Sequence, residues 1–354
     1  MTAAKGPLAM KNIAILVPSY NSASTLASTL SSFLDQGQEL DRHIDFIMLS
    51  DDGSKDGTVA LAESTWHHPT VPLQVKRAEV NQGEYRNVNG AFAAMPPHIE
   101  WVLIMHADNE ALPGWIQVLA RECGRAGTEV ATICGSWHYV VDGRLADAGD
   151  TRGPDYVESI TGNDKSVRES IFAGCWWHNS TAAIRVSAWK EVGGHPQETP
   201  LLGPLEMLGL RTIPSSLQRK LRIKGDWDVL LRFLSSGKSI VYVGIPVIRY
   251  IEQSTSVSGG SFAWHGDLLE TLQVMRRHQA VLSAKEIVLF HGRNTVTLGR
   301  RFVGAVLRGQ WRRAGFAVKA VPYFIFSLMI SILARVRRHG GRLTSIPFGP
   351  AFRQ

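Results

Sequence analysis

The stretch Trp101-Val102-Leu103-Ile104-Met105-His106-Ala107-Asp108-Asn109-Glu110 decides the fold. Five apolar residues run without a break and stop at a polar cluster. Such a run predicts a parallel strand buried on both faces, because it has no solvent face to keep polar. In open α/β sheets ligands bind beyond the carboxyl ends of the strands. His106, Asp108 and Asn109 are expected at that end, with Asp108 as a metal- or phosphate-site residue. The plainer role for the same carboxylate is helix capping ahead of Pro113.

The same pattern recurs toward the N-terminus. Ile13 to Val17 reads as a first buried strand, ended by Pro18-Ser19-Tyr20-Asn21. A helix follows, capped by Ser24, with Leu26, Leu30, Phe33 and Leu34 on one face. Phe46 to Leu49 is a second strand, ending in Ser50-Asp51-Asp52-Gly53-Ser54, with a helix from near Asp56. Leu73 to Val75 is a short third strand leading to Asn81-Gln82-Gly83. A helix through Val88, Ala91, Phe92 and Met95 is closed by Pro96-Pro97. After the opening strand come a helix entered at Pro113 and a fifth strand from Val130 to Cys134. This alternation predicts βαβ units: an α/β fold with a mostly parallel central sheet flanked by helices.

Beyond residue 141 the pattern loosens. Residues 142–172 read as a Gly- and Asp-rich loop, and Phe172 to His178 as an aromatic cluster. Ala183 to Val192 reads as a helix stopped by Gly193-Gly194. Residues 196–224 form an irregular excursion. Asp226 to Leu234 reads as a helix, Ile240–Val243 and Val247–Tyr250 as late strands. After Ser261 the pattern is helical to about residue 338. The expected domains are residues 10–260, catalytic, and residues 261–354, a helical basic C-terminal region.

Composition narrows the function classes. The chain has 354 residues, 44% hydrophobic, enough for a substantial core. Three cysteines without CxxC spacing argue against a disulfide framework and fit a reducing compartment. The first residues, MTAAKGPLAMKN, hold no apolar run of signal-peptide length. The net charge of +7 hides an asymmetry: from Thr271 onward there are fifteen Lys and Arg and one acid, so the front is net −7 and the tail +14. A basic tail on an acidic body points to an anionic membrane surface and away from nucleic acid. No GxSxG, Walker A or GxGxxG element occurs, which disfavours serine hydrolase, P-loop and dinucleotide-binding functions.

Three acidic positions stand out. Asp51 and Asp52 repel each other, so something should use them: a cation, a base or ribose edge, or the backbone donors of their own turn. Asp226, in Gly225-Asp226-Trp227-Asp228, falls at a helix N-terminus, where the dipole favours an ionised carboxylate. It fits an ordinary N-cap or a general base. His178, beside Trp176 and Trp177, reads either as the lining of a sugar acceptor pocket or as part of a core cluster.

Taken in order, these pieces resemble the inverting glycosyltransferases of family 2, with the GT-A fold. The matching elements are Pro18-Ser19-Tyr20-Asn21, Asp51-Asp52-Gly53-Ser54, Asn81-Gln82-Gly83 with Arg86-Asn87, His106-Ala107-Asp108 in place of DxD, Asp226 in GDWDxxLR, and Tyr250 to Ser258. The resemblance implies that Pro18, Tyr20 and Asp52 contact the nucleoside, with Asp52 on the base edge, and that Asn21 and Asp51 belong to the same nucleotide-sugar-binding set. Asn81, Gly83 and Arg86 would face the nucleotide or its phosphates. Asp108 would bind Mg²⁺ or Mn²⁺ bridging the diphosphate, and Asp226 would deprotonate the acceptor hydroxyl. The chain departs from the family pattern at four points. His106 stands where a first carboxylate is usual, Gly225 where a Glu precedes the base, and Gln253 where a His is common. The Asn-to-Arg spacing is also short.

The implied partners are a nucleotide-sugar donor, a saccharide or lipid-linked acceptor, and an anionic membrane. Val321 to Ala334 is largely apolar between arginines. As a helix it spans about 21 Å, short of the ~30 Å hydrocarbon core. It reads as a core helix or as one lying in the membrane interface, placing the enzyme at the cytoplasmic face of a bacterial inner membrane. The competing class is a non-catalytic nucleotide-sugar-binding or membrane scaffold protein that kept the fold.

Overall fold

In the computed structural model, residues 11–196, 200–201, 219–220, 224–252 and 265–339 are described. The chain divides into two compact units, one of residues 1–198 with 225–259, the other of residues 199–224 with 260–354.

The first unit is a mixed α/β layer structure. Strands β1 (Ile13–Ser19), β2 (Ile44–Asp51), β3 (Leu73–Arg77) and β4 (Trp101–Ile104) run parallel in the order β3-β2-β1-β4. β1 and β4 are buried along their whole lengths, which is why they read as unbroken apolar runs. Helices α1 (Leu26–Leu34), α2 (Gln38–His43), α3 (Thr58–Thr65), α4 (Glu84–Ala94) and α5 (Trp115–Arg125) connect and cover the sheet. Leu26, Leu30 and Phe33 of α1 are buried, and Phe33 stacks on Trp115 with ring centroids 5.5 Å apart. Leu34 instead is 44% exposed, and Ser24 is not the cap, since α1 opens at Leu26, whose N–H bonds to the Ser22 carbonyl. Each fully buried side chain of this kind contributes roughly 1.5–3 kcal/mol.

Past β4 the sheet changes direction. β5 (Glu110–Ala111) is a short edge strand, and β6 (Val130–Val141) is far longer than the expected fifth strand. Residues 142–172 are not a loop: they form β7 (Arg144–Asp147), β8 (Val157–Ile160) and α6 (Asp164–Ala173). The two strands are short and largely exposed, so no apolar alternation marks them. The helix is capped by a reciprocal Asn163–Ser166 pair, not the usual Glu. Residues Ala182–Arg185 form β9, not helix, and only Val186–Glu191 are helical, as α7. Ala182 to Ile184 lie fully buried between β4 and β6, antiparallel to both, so sheet context overrides alanine's helix preference.

The two expected late strands are one, β12 (Ser239–Glu252), which follows α8 (Gly225–Ser235). It runs parallel to β6, with its register slipping on both sides of Pro246, where a proline cannot donate to the ladder. Gln253 and the rest of the segment to Ser258 lie outside the described residues.

The second unit contains the strand pair β10 (Pro200–Leu201) and β11 (Arg219–Lys220), and helices α9 (Gly266–His278), α10 (Ala284–Leu307) and α11 (Trp311–His339). Most of the irregular 196–224 segment lies outside the described residues. α11 packs on α9 and α10, and its surface is turned inside out. The buried stripe is small or polar: Ala314, Ala317, Ala320, Ser327 and Ser331, with Phe324. Large apolar side chains face outward: Val318, Val321, Ile325, Met329 and Leu333. The His291 ring meets the Ser327 hydroxyl at 3.0 Å inside this helix pair.

Candidate active site

The parallel ladders bring the carboxyl ends of β1, β2, β3 and β4 to one edge. Tyr20, at the end of β1, is half exposed, whereas Pro18 is buried one turn of the pleat inside it. Asn21 adopts a left-handed φ of 51°; its side chain accepts from the Lys55 N–H and its own N–H donates to Ser54 Oγ. The Asp51 carboxylate is wholly buried. It accepts from Ser54 N and Ser54 Oγ, with Arg77 Nε at 3.6 Å. Asp52 accepts from Gln82 N and Gly83 N, both at 2.8 Å. Asp51 is thus engaged by Ser54 and faces Arg77, whereas Asp52 is engaged by backbone donors. Gly53 allows this closure: a Cβ there would meet the Val80 backbone at 3.0 Å.

Asn81 is exposed and its side chain accepts from Gly83 N at 3.1 Å. Gly83, with φ of 92°, turns the chain into α4, and Arg86 lies exposed on the first turn of that helix. Asn87, by contrast, is buried and exchanges two hydrogen bonds with Ser50, so it stitches α4 to β2.

At the end of β4 sits a cluster of charge that sequence reasoning only half saw. His106 Nε2 lies 3.0 Å from Glu84, and Ser180 Oγ lies 2.5 Å from its Nδ1. Burial opposes a charge on His106, but the Glu84 carboxylate outweighs it, with Asp108 and Asp226 adding, and pushes the imidazole up to about 9. Burial likewise opposes ionisation of Glu84, and His106 overrides it, down to about 2. A protonated ring donates from both nitrogens, so the Ser180 hydroxyl accepts here. His178 meets the His106 ring edge-on at 5.9 Å; burial and the neighbouring positive charge push it down to about 3, leaving it neutral.

Asp226 stands in the first turn of α8 and accepts from the Asn179 N–H at 3.2 Å. Asn179 immediately precedes Ser180, the partner of His106. One short turn, Asn179–Thr181, therefore joins the end of β4 to the start of α8. His195 Nε2 lies 3.7 Å from Asp226. This is not an ion pair, because burial pushes His195 down to about 4 and keeps it neutral. Neither His195 nitrogen nor the buried Asn179 amide has a hydrogen-bond partner among the described residues.

Tyr85 accounts for the glycine before Asp226. Its ring stacks on His195 at 4.4 Å, and its hydroxyl accepts from Gly225 N at 2.8 Å. A Cβ on Gly225 would lie 2.3 Å from that ring. Any side chain there would displace Tyr85. Glu84, Tyr85, Asn179, Ser180 and His195 were not singled out in the sequence; only the acid opening a helix right after Asn81-Gln82-Gly83 offered a signal.

Asp108 follows the end of β4 and is partly exposed. Burial raises its pKa while the charge of His106 opposes that rise, and among the described residues its carboxylate has no side-chain hydrogen-bond partner. No group of three His, Cys, Asp or Glu side chains able to hold a metal occurs among the described residues. Asp108 therefore fits a hard cation that takes its other ligands from phosphate oxygens and water. Both ring nitrogens of His106 are already engaged, by Glu84 and Ser180.

The aromatic cluster divides. Trp177 is core: 1% exposed, edge-on to Phe233, its Nε1 donating to Thr132 Oγ1 at 3.2 Å. Trp176 is partly exposed. Cys123 and Cys134 are buried, and Cys175 is exposed with its Sγ donating to the Trp177 carbonyl at 3.0 Å.

The fold is shared with solved glycosyltransferase structures. S. aureus TarS 1-349 in complex with UDP-GlcNAc superposes with a TM-score of 0.54 at 15% identity, covering 90% of this chain and 82% of that one. TarS 1-349 alone gives 0.51 at 17% identity, covering 94% and 93%. The chain spans 40% of the length of the longer S. aureus TarS structure. No curated protein matches the chain. These likenesses define a GT-A fold, the architecture of nucleotide-sugar glycosyltransferases. Residues 14–177 match the family model Glycosyl transferase family 2.

Proposed function

We propose that the chain is an inverting glycosyltransferase that moves a sugar from a nucleoside-diphosphate donor to an acceptor hydroxyl in bacterial surface polysaccharide or glycolipid synthesis. The observation that carries this reading is the Asn179–Thr181 turn, which couples Asp226 by hydrogen bonds to His106, whose charge in turn acts on Asp108. A base candidate and a diphosphate-side carboxylate thus share one support. Asp226 takes the acceptor proton as the hydroxyl attacks the anomeric carbon from the face opposite the leaving diphosphate, and one displacement inverts that centre. Tyr20, Asn81 and Arg86 are the exposed members of the donor wall. Asp52 acts there by fixing the Gln82–Gly83 backbone. Mg²⁺ or Mn²⁺, held by Asp108, would offset charge on the leaving nucleoside diphosphate. A screen of nucleotide-sugars for donor hydrolysis, with and without Mn²⁺, tests the reading. Turnover of at least one donor is expected, and none across the set would refute it.

The same proposal places the enzyme at the cytoplasmic face of the membrane, through its second unit. Residues Trp311–Arg335 form a helix long and apolar enough to cross a bilayer, about 37 Å at helical rise. Its outward row of Val318, Val321, Ile325, Met329 and Leu333 costs free energy in water and gains it in lipid. We read this helix as interfacial, with its basic neighbours on anionic headgroups, giving access to a lipid-linked acceptor. Co-flotation of the full chain with anionic vesicles is expected, and should be lost when Ile325 and Met329 are both changed to Glu. Flotation unchanged by that pair would refute the surface.

A further inference from the structure

Beside the candidate active site, within the first unit, lies a cavity of about 430 Å³ that neither donor nor base uses. It falls within the roughly 300–1,000 Å³ range of small-molecule sites. Trp137 of β6 and Trp176 supply its apolar walls, and Asp147, Glu158, Arg152 and Tyr242 its polar edge. Both tryptophans are partly exposed, so their faces are open to a ligand.

The charges around it are already arranged. The Arg152 guanidinium is held by both oxygens of Asp150 and lies 3.6 Å over the Tyr156 ring. Tyr242 Oη donates to the same Asp150, and Tyr156 Oη donates to Glu158. Arg152 is thereby neutralised, while Asp147 and Glu158 leave the rim net negative. Such a rim repels phosphate and excludes a second nucleotide site. Carboxylates and a phenol accept and donate to hydroxyls, and tryptophan faces cover the C–H faces of a sugar ring. Gly149, in the lining, is tightly seated: it has φ of 68°, and a Cβ there would lie 2.5 Å from the Trp137 carbonyl oxygen.

The cavity adjoins the chemistry. The Trp137 ring lies 6.0 Å from His178, and His178 lies 5.9 Å from His106 and 5.1 Å from Tyr250. A chain of rings therefore leads from the cavity to the cluster that holds Asp108 and Asp226.

We propose that this cavity is a saccharide subsite that binds a neutral, hydroxyl-rich sugar of the acceptor, stacked on Trp137 and Trp176 with its hydroxyls on Asp147 and Glu158. The assignment as an acceptor subsite rests on the transferase reading above, whereas the binding of sugar does not. The test uses saturation-transfer NMR on the full chain with a panel of neutral methyl glycosides and no donor. Donor hydrolysis is measured on the same samples. Trp176→Ala and Glu158→Gln should each weaken glycoside binding about five- to tenfold. Both should leave donor hydrolysis and thermal unfolding unchanged, and Trp176→Phe should restore most of the binding. Glycoside binding that is absent in the parent chain, or unchanged by both substitutions, overturns the subsite. Binding sensitive to both, in a chain that hydrolyses no donor, supports the sugar site and overturns the transferase reading instead.

Discussion

At the ends of β2 and β3 the polar side chains are claimed by the protein itself. Asp51 is filled by Ser54, Asp52 by the Gln82 and Gly83 backbone, and Asn87 by Ser50. Around β4 and α8 the position reverses. Asp108 has no side-chain partner, the buried Asn179 amide has none, and both nitrogens of His195 are unpaired among the described residues. Buried polar groups are almost always satisfied, so an unsatisfied cluster calls for an explanation. A satisfied carboxylate builds a wall, and an unsatisfied group marks where a ligand completes the structure. Ser19, whose buried hydroxyl also has no partner among the described residues, is the exception on the first side.

This contrast can be broken by stability measurements. The neighbouring tryptophans give the largest separation. Trp177→Ala should cost about 3–5 kcal/mol in denaturant unfolding, as for other large core truncations. Trp176→Ala should cost almost nothing, and equal losses would erase the division between core and cavity. Next, Asp52→Ala leaves two backbone N–H groups unpaired and should cost about 2–3 kcal/mol. A change below the measurement error would mean that the carboxylate is free for another role. Smallest is Asp108→Ala, expected within about 0.5 kcal/mol of the parent in stability. Its effect should appear in the response to Mn²⁺: donor binding enhanced by the metal in the parent should lose that enhancement in the variant. A preserved Mn²⁺ response would remove Asp108 from the metal role.

The legibility of the sequence follows the same physics. Strands buried on both faces, β1, β2 and β4, are continuous apolar runs and were read directly. β7 and β8 carry little apolar surface, and β9 is an alanine-rich strand made by its neighbours, so local pattern misread all three. Asp226 and Asp108 could be picked out because each ends or opens a regular element. Their coupling could not, because it runs through Asn179 and Ser180, which sit far away in the chain on a segment with no periodic pattern. The cavity beside Trp137 was hidden for the same reason: its edge comes from β7, β8 and the turn between them.

The central claim is that Asp226 acts in chemistry while Asp108 and the β1–β3 wall act in binding. It is tested most directly by pairing turnover with calorimetric donor binding for Asp226→Asn. The account predicts that transfer falls by about 10²–10⁴-fold while the donor Kd stays within about threefold. Transfer at the parent rate with donor binding intact would contradict it.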